Sequence, residues 1–221
     1  MQMLKGVEEW RTVRIAQGPV RGRYNTEYGI YAFYDIPYVT APTGTERFKT
    51  PRPPPVWITT FDAEDRGISC PQLFAFHSVQ EDCLVASVYV PNTQETNLPV
   101  AINIHGGDFQ MTYGNFETLN SLVATNKIIA IMFNYRLGPH GFLFLGTEDA
   151  PGNAGLKDQI ALLRWVKQNI ASFGGNHDDV TIMGCSAGGG SVDILTLSKL
   201  WTIQLSHSRE WSQHWCGRGI Y

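Results

Sequence analysis

Asp179-Val180-Thr181-Ile182-Met183-Gly184-Cys185-Ser186-Ala187-Gly188 runs directly into Gly189-Gly190-Ser191-Val192-Asp193-Ile194-Leu195. The apolar run 179–183 reads as a short buried strand, and the segment after the serine reads as a helix start. A serine on such a strand–turn–helix elbow is held in a strained backbone conformation that exposes its hydroxyl. Side chains two residues to either side would collide with neighbouring backbone, and Gly184 and Gly188 supply the small residues needed there. A G-x-S-x-G string arises often by chance in a chain with 22 glycines. Its context makes Ser186, rather than the adjacent Cys185, the expected nucleophile.

A serine hydrolase also needs a histidine to take the hydroxyl proton and an acid to orient that histidine. With this elbow both partners follow the serine in chain order, yet only residues 187–221 follow here. Asp193 would sit about two turns along the departing helix, pointing away from the hydroxyl. His207, Glu210 and His214 lie in a stretch unlike anything before it, where three of the six tryptophans fall among Ser, His, Gln and Arg. The sequence thus names a nucleophile without a base. Residues 1–199 read as the N-terminal part of a catalytic domain and 200–221 as a divergent tail, giving a truncated chain of little or no turnover.

Working back from the elbow, Asn153–Phe173 is the best helix, with Leu156, Ile160, Leu163 and Ile170 on one face. Asn153 is placed to cap its start, and Gly174-Gly175 ends it. Ile128–Tyr135 shows no alternation, as expected of a strand covered on both faces. Pro99–Ile104 is another buried strand, running into His105-Gly106-Gly107-Asp108-Phe109. Leu84–Val90 is a further strand, and Pro42–Pro55 is a proline-rich surface excursion. Arg11–Ala16, Pro19–Tyr24 and Ile30–Ile36 form a β-meander. Strand, helix, strand, elbow, helix is an α/β pattern with a parallel-rich central sheet.

The net charge of −3 gives no electrostatic reason to expect nucleic acid or an anionic membrane as partner. The longest clearly apolar run, Ile128–Phe133, is far too short to span a bilayer. No His/Cys cluster has metal-ligand spacing, so neither metal nor organic cofactor is expected. Cys70 and Cys83 fit either a small-loop disulfide or two reduced thiols.

Taken in order, several segments resemble one family. They are Arg47-Phe48, Glu81-Asp82-Cys83-Leu84, His105-Gly106-Gly107, Asn134-Tyr135-Arg136-Leu137-Gly138 and Gly152-Asn153-Ala154-Gly155-Leu156-Lys157-Asp158-Gln159. Phe173-Gly174-Gly175-Asn176 and Gly184-Cys185-Ser186-Ala187-Gly188-Gly189 complete the set. Together they resemble the N-terminal portion of the type-B carboxylesterase and cholinesterase family, most closely the insect carboxylesterases that include juvenile-hormone-esterase-like enzymes. The resemblance implies an α/β-hydrolase fold and acyl transfer from a small-molecule ester to Ser186. It implies an oxyanion hole of backbone N–H groups from Gly106, Gly107, Asp108 and Ala187. It also implies a Cys70–Cys83 disulfide and bracing ion pairs Arg47–Glu81 and Arg136–Asp158. The family's disulfide pattern implies export, whereas Met1–Glu9 lacks the apolar core of a signal peptide and suggests the cytoplasm.

Two positions depart from the family pattern. Asp108 stands where the family has glycine or another small residue, which puts a carboxylate near developing negative charge. Two like charges about 4 Å apart at an effective dielectric near 20 repel by roughly 4 kcal/mol, on the order of a thousandfold in rate. Asp35 also stands at a usual glycine, with a lesser strain. These departures and the absent base support two rivals to ester hydrolysis: a non-catalytic esterase-like protein in binding or adhesion, and an organophosphate scavenger.

Overall fold

The computed structural model describes residues 8–74 and 78–198; the 200–221 tail lies outside them. The chain opens with an antiparallel meander of β1 (Trp10–Ile15), β2 (Gly18–Asn25) and β3 (Ile30–Pro37). The short strands β4 (Phe61–Asp62), β5 (Ile68–Ser69) and β6 (Ser78–Val79) follow, then β7 (Val85–Pro91) and β8 (Leu98–Ile104). After α1 (Asn120–Val123), β9 (Ile129–Phe133) and α2 (Gly138–Phe142) comes the long helix α3 (Ala154–Asn169). Strand β10 (Gly175–Gly184) and helix α4 (Ala187–Leu197) end the described part.

The main sheet has the order β1-β2-β3-β7-β9-β8-β10, with β4 paired beside β2. It is mixed. Neighbours along β1-β2-β3-β7-β9 pair antiparallel, whereas β9, β8 and β10 run parallel and β4 pairs parallel with β2. Central β9 is buried along its length, which explains its unbroken apolar run. Its faces still alternate. Ile129, Ile131 and Phe133 join the larger core with Leu162, Trp165 and Val166 of α3 and with Val192 and Leu195 of α4. Ala130 and Met132 pack with Val123 of α1 on the other face. Each fully buried branched aliphatic contributes about 1.5–3 kcal/mol.

Three local expectations change. The helix begins at Ala154, and Asn153 makes no side-chain cap; it is left-handed at φ 53°, a conformation asparagine tolerates. The regular helix stops at Asn169, and Ile170–Phe173 continue as a 3₁₀ turn up to left-handed Gly174. Asp35 is a larger perturbation than a lesser strain. It is buried at φ 51°, within the register shift between Phe33 and Ile36. Its carboxylate accepts the Arg66 N–H at 2.8 Å, and burial pushes its pKa up against that bond.

Register positions the site. Gly184 of β10 lies opposite Ile104 of β8, so the loops leaving these strands emerge side by side at their carboxyl ends. In open α/β sheets this is where ligands are met.

Candidate active site

Ser186 caps α4 at φ 55° and ψ −121°, a strained conformation for a residue with a Cβ, and it is exposed. The glycines around it are dictated by backbone proximity. A Cβ on Gly188 would lie 2.0 Å from the Ile104 carbonyl oxygen, and one on Gly184 would lie 2.5 Å from the Gly188 carbonyl carbon. Neither position admits a side chain.

The loop after β8 closes onto this elbow. A Cβ on Gly106 would meet the Cys185 oxygen at 2.7 Å and the Ser186 Cβ at 3.3 Å. Gly107 is left-handed at φ 100°, and Asp108 and Phe109 follow at φ 53° and 58°. Among the described residues, the amides of Gly106, Gly107 and Asp108 donate to no protein acceptor. The Ala187 amide, at the first position of α4, is one of the N–H groups a helix leaves unspent at its start. The geometry thus brings Ser186, Gly106 and Ala187 together, with Gly107 and Asp108 next in the loop.

Several residues fix that loop, and the sequence reading had assigned none of them a role. Gln72 reads Thr112 as a strand partner would: its Nε2 donates to the Thr112 oxygen at 3.0 Å and its Oε1 accepts the Thr112 N–H at 2.7 Å. The Phe109 oxygen accepts the Gly138 N–H at 2.6 Å. Asn134 bridges three segments, accepting from Gly114 and donating to the oxygens of Ile68 and Cys83. Only the recurrence of Asn134 within a family motif could have pointed to it.

His105 is not placed as a base for Ser186. It is buried and stacked on Tyr135, with ring centroids 4.3 Å apart, and Nδ1 lies 2.8 Å from the Gly106 oxygen. That contact assigns the proton to Nδ1 and leaves Nε2 as a buried lone pair without a partner. Burial lowers the imidazole pKa to about 4, so the ring is neutral at pH 7. His140 lies 3.8 Å from Glu81 and His177 lies 3.4 Å from Asp178. Among the described residues no side chain hydrogen-bonds the Ser186 hydroxyl.

The supporting charges pair as expected, in unequal settings. Arg136 and Asp158 are 2% and 0% exposed, joined by Nε–Oδ2 and Nη2–Oδ1 bonds of 2.7 and 2.6 Å. The Arg136 N–H also donates to Asp158, and Nη1 donates to the oxygens of Arg47 and Lys49. The pair therefore fastens the 47–49 loop to α3. Arg47 Nε pairs with Glu81, both half-exposed, while Glu81 accepts the Gly44 N–H. The Gly44 amide and then Arg47 hold the Glu81 carboxyl below its usual pKa. Cys70 and Cys83 form a disulfide.

A cleft of about 840 Å³ opens beside the site. Phe109, Phe142, Leu156 and Ile194 supply apolar wall, with Asp108 and His140 as its ionisable residues. Ser186 does not line it; Asp108 and Phe109, next after Gly107, and Ile194 of α4 are the lining residues that belong to the segments forming the site. The Asp108 side chain is exposed, so water screens it. The thousandfold penalty expected for a carboxylate held against the oxyanion is an upper bound.

The sequence model of the carboxylesterase family matches residues 9–208. The chain belongs to the carboxylesterase family. It is 44% identical over 191 residues to para-nitrobenzyl esterase of Bacillus subtilis, covering 80% of this chain and 38% of that protein. Esterase-5A of Drosophila pseudoobscura pseudoobscura is 40% identical over 208 residues, covering 89% and 38%. Among solved structures, a PNB esterase superposes with TM-score 0.80 at 42% identity, covering 86% of this chain and 41% of that one. Juvenile hormone esterase from Manduca sexta does so with TM-score 0.77 at 37% identity, covering 86% and 38%. The fold is that of the α/β hydrolases, as members of the carboxylesterase family adopt. The chain spans somewhat over a third of the length of these relatives. No helix among the described residues is long and apolar enough to cross a membrane.

Proposed function

We propose that this chain carries the nucleophile and oxyanion hole of a serine carboxylic-ester hydrolase acting on small-molecule esters. The observation that carries the reading is an exposed, strained Ser186 beside unspent main-chain donors. Ser186 Oγ attacks the ester carbonyl, and the carbonyl electron pair moves onto oxygen. The amides of Gly106, Gly107, Asp108 and Ala187 receive that oxyanion, each donor being worth on the order of a hundredfold in rate. Collapse expels the alcohol, and water then releases the acid from the serine ester. Asp158, Arg136, Glu81 and Arg47 position the loops and touch no reacting atom.

Proton transfer from Ser186 requires a base. The described imidazoles are each committed elsewhere, so we place the base and its acid in the part of the relatives' length that this chain does not span, and on that reading expect little turnover from the chain by itself. The Cys70–Cys83 disulfide favours an oxidising compartment. Neither adhesion nor organophosphate scavenging draws on a specific observation of its own.

A fluorophosphonate probe tests the assignment. The 221-residue chain should label weakly. A chimera supplying the C-terminal portion of a family relative should label strongly, and Ser186→Ala should abolish this. Labelling of the chimera at another residue would refute Ser186 as nucleophile. Strong labelling of the chain alone, lost on His214→Ala, would refute the external base.

A further inference from the structure

A hollow of about 290 Å³ lies between the proline-rich segment 51–54 and helix α3, and it shares no lining residue with the cleft beside the elbow. Ala161, Arg164, Trp165 and Gln168 of α3 line one side, a stripe at the three- and four-residue spacing of a single helix face. Pro51, Arg52, Pro53 and Pro54 line the other. That second wall is fixed. Thr40 and Arg52 exchange two backbone hydrogen bonds, at 3.0 and 3.1 Å, and the Thr40 hydroxyl donates to the Pro53 oxygen at 2.7 Å.

Few polar groups remain to meet a ligand there. Tyr38 and Trp165 are buried at the base of the hollow. The Tyr38 hydroxyl is spent on the Asn134 oxygen and the Trp165 ring N–H on Gln17, so this floor offers carbon. The prolines have no N–H, and the Arg52 N–H and carbonyl are taken by Thr40. That leaves the Arg52 and Arg164 guanidiniums and the Gln168 amide. Both arginines are exposed, and among the described residues no ion pair engages either. Arg21, Arg23, Arg47 and Arg136, by contrast, each meet a carboxylate. Arg52 also borders a neighbouring hollow with Glu46 and Glu148, yet it pairs with neither, and Glu46 is held by Lys49. No acidic residue lines the space between the two arginines among the described residues. In a chain of net charge −3 this is a local excess of positive charge.

We infer that this hollow is a binding site for a small phosphomonoester on a compact apolar body, independent of the ester function proposed above. Guanidinium groups grip phosphate through paired N–H···O bonds. A phosphate monoester carries about −1.5 to −2 charge at neutral pH, which two guanidiniums offset. The carbon floor receives the apolar body. The volume sits at the small end of ligand sites, with room for a single ring bearing the phosphate.

The test is a titration of the 221-residue chain with phenyl phosphate, followed by proton–nitrogen NMR. Saturable shifts should appear at the Arg52, Arg164 and Gln168 amides and at the Trp165 ring N–H. One unit of charge about 4 Å from a guanidinium in high dielectric gives about fivefold in affinity, equivalent to about 1 kcal/mol. Phenyl phosphate should therefore bind at least about fivefold tighter than benzoate, an advantage that shrinks as salt is raised. Arg52→Gln and Arg164→Gln should each cost about fivefold, and the double variant should lose saturable binding at these groups. Both side chains are exposed, so an unchanged spectrum elsewhere reports that the fold is kept. Inorganic phosphate should bind more weakly than phenyl phosphate, because it leaves the floor bare. Benzoate or inorganic phosphate binding as tightly as phenyl phosphate would overturn the inference. So would binding that survives the double variant, no saturable shift at these groups, or shifts confined to the Gly106 and Ala187 amides, which would place the phosphate at the oxyanion donors.

Discussion

Replacing Asp158 by alanine removes the sole carboxylate partner, among the described residues, of a guanidinium that is 2% exposed. Three bonds go with it, from the Arg136 N–H, Nε and Nη2. What remains is Nη1 on the oxygens of Arg47 and Lys49 and a long Nη2 contact to the Ala154 oxygen at 3.5 Å. None of these neutralises the charge. Charge-assisted bonds are worth about 1.5–3 kcal/mol each, but they share one cation and do not add. A buried pair broken on one side costs about 3–5 kcal/mol, a large part of the 5–15 kcal/mol typical of a folded domain. Glu81→Ala is the internal control, because that pair is 41% and 27% exposed and should cost no more than about 1 kcal/mol. Urea unfolding followed by the emission of buried Trp165 measures both. The double variant Arg136→Met/Asp158→Leu should recover part of the loss by removing both charges, with the 47–49 loop still loosened in hydrogen exchange. If Asp158→Ala costs no more than Glu81→Ala, Arg136 is solvated in solution and the bracing argument fails.

Two further outcomes are expected. The His105 pKa is lowered from 6.5 to about 4 by burial, so the folded state favours the neutral ring. Its contribution is present above about pH 6.5 and is lost as pH falls toward about 4, with a maximum of roughly 3 kcal/mol. Burial pushes Asp35 the opposite way, so the measured quantity is the difference from His105→Phe. That variant keeps the stack on Tyr135 and should flatten the acid limb of urea stability against pH; an unchanged slope would place the titrating group elsewhere. Removing the disulfide with Cys70→Ala/Cys83→Ala opens a link across 13 residues and should cost about 3 kcal/mol, with faster hydrogen exchange at Thr112 as Gln72 loosens. A loss under about 1 kcal/mol would mean that the Gln72 and Asn134 bonds hold the loop unaided.

The elbow, its glycines and the apolar strands were legible in the sequence because each depends on short-range rules. A two-residue alternation, a helical repeat and a tight turn all leave their mark within a few residues. The family resemblance extended that reach to Arg47–Glu81, Arg136–Asp158 and Cys70–Cys83, pairs that composition and spacing leave open. Tertiary structure decided the rest. Nothing local told β7 to pair antiparallel with β9, or set Gly184 opposite Ile104 so that two loops share one end of the sheet. Asn153 had the right residue type for a cap, yet the turn it closes holds it left-handed. Gln72 meets Thr112 across 40 residues, and the Ala16 amide meets Asn169 across 153. The solvent exposure of Asp108 and the neutrality of His105 follow from which surfaces close over them. Local preferences fix what each segment can become, whereas pairing, burial and charge state depend on contacts made only once the chain has folded.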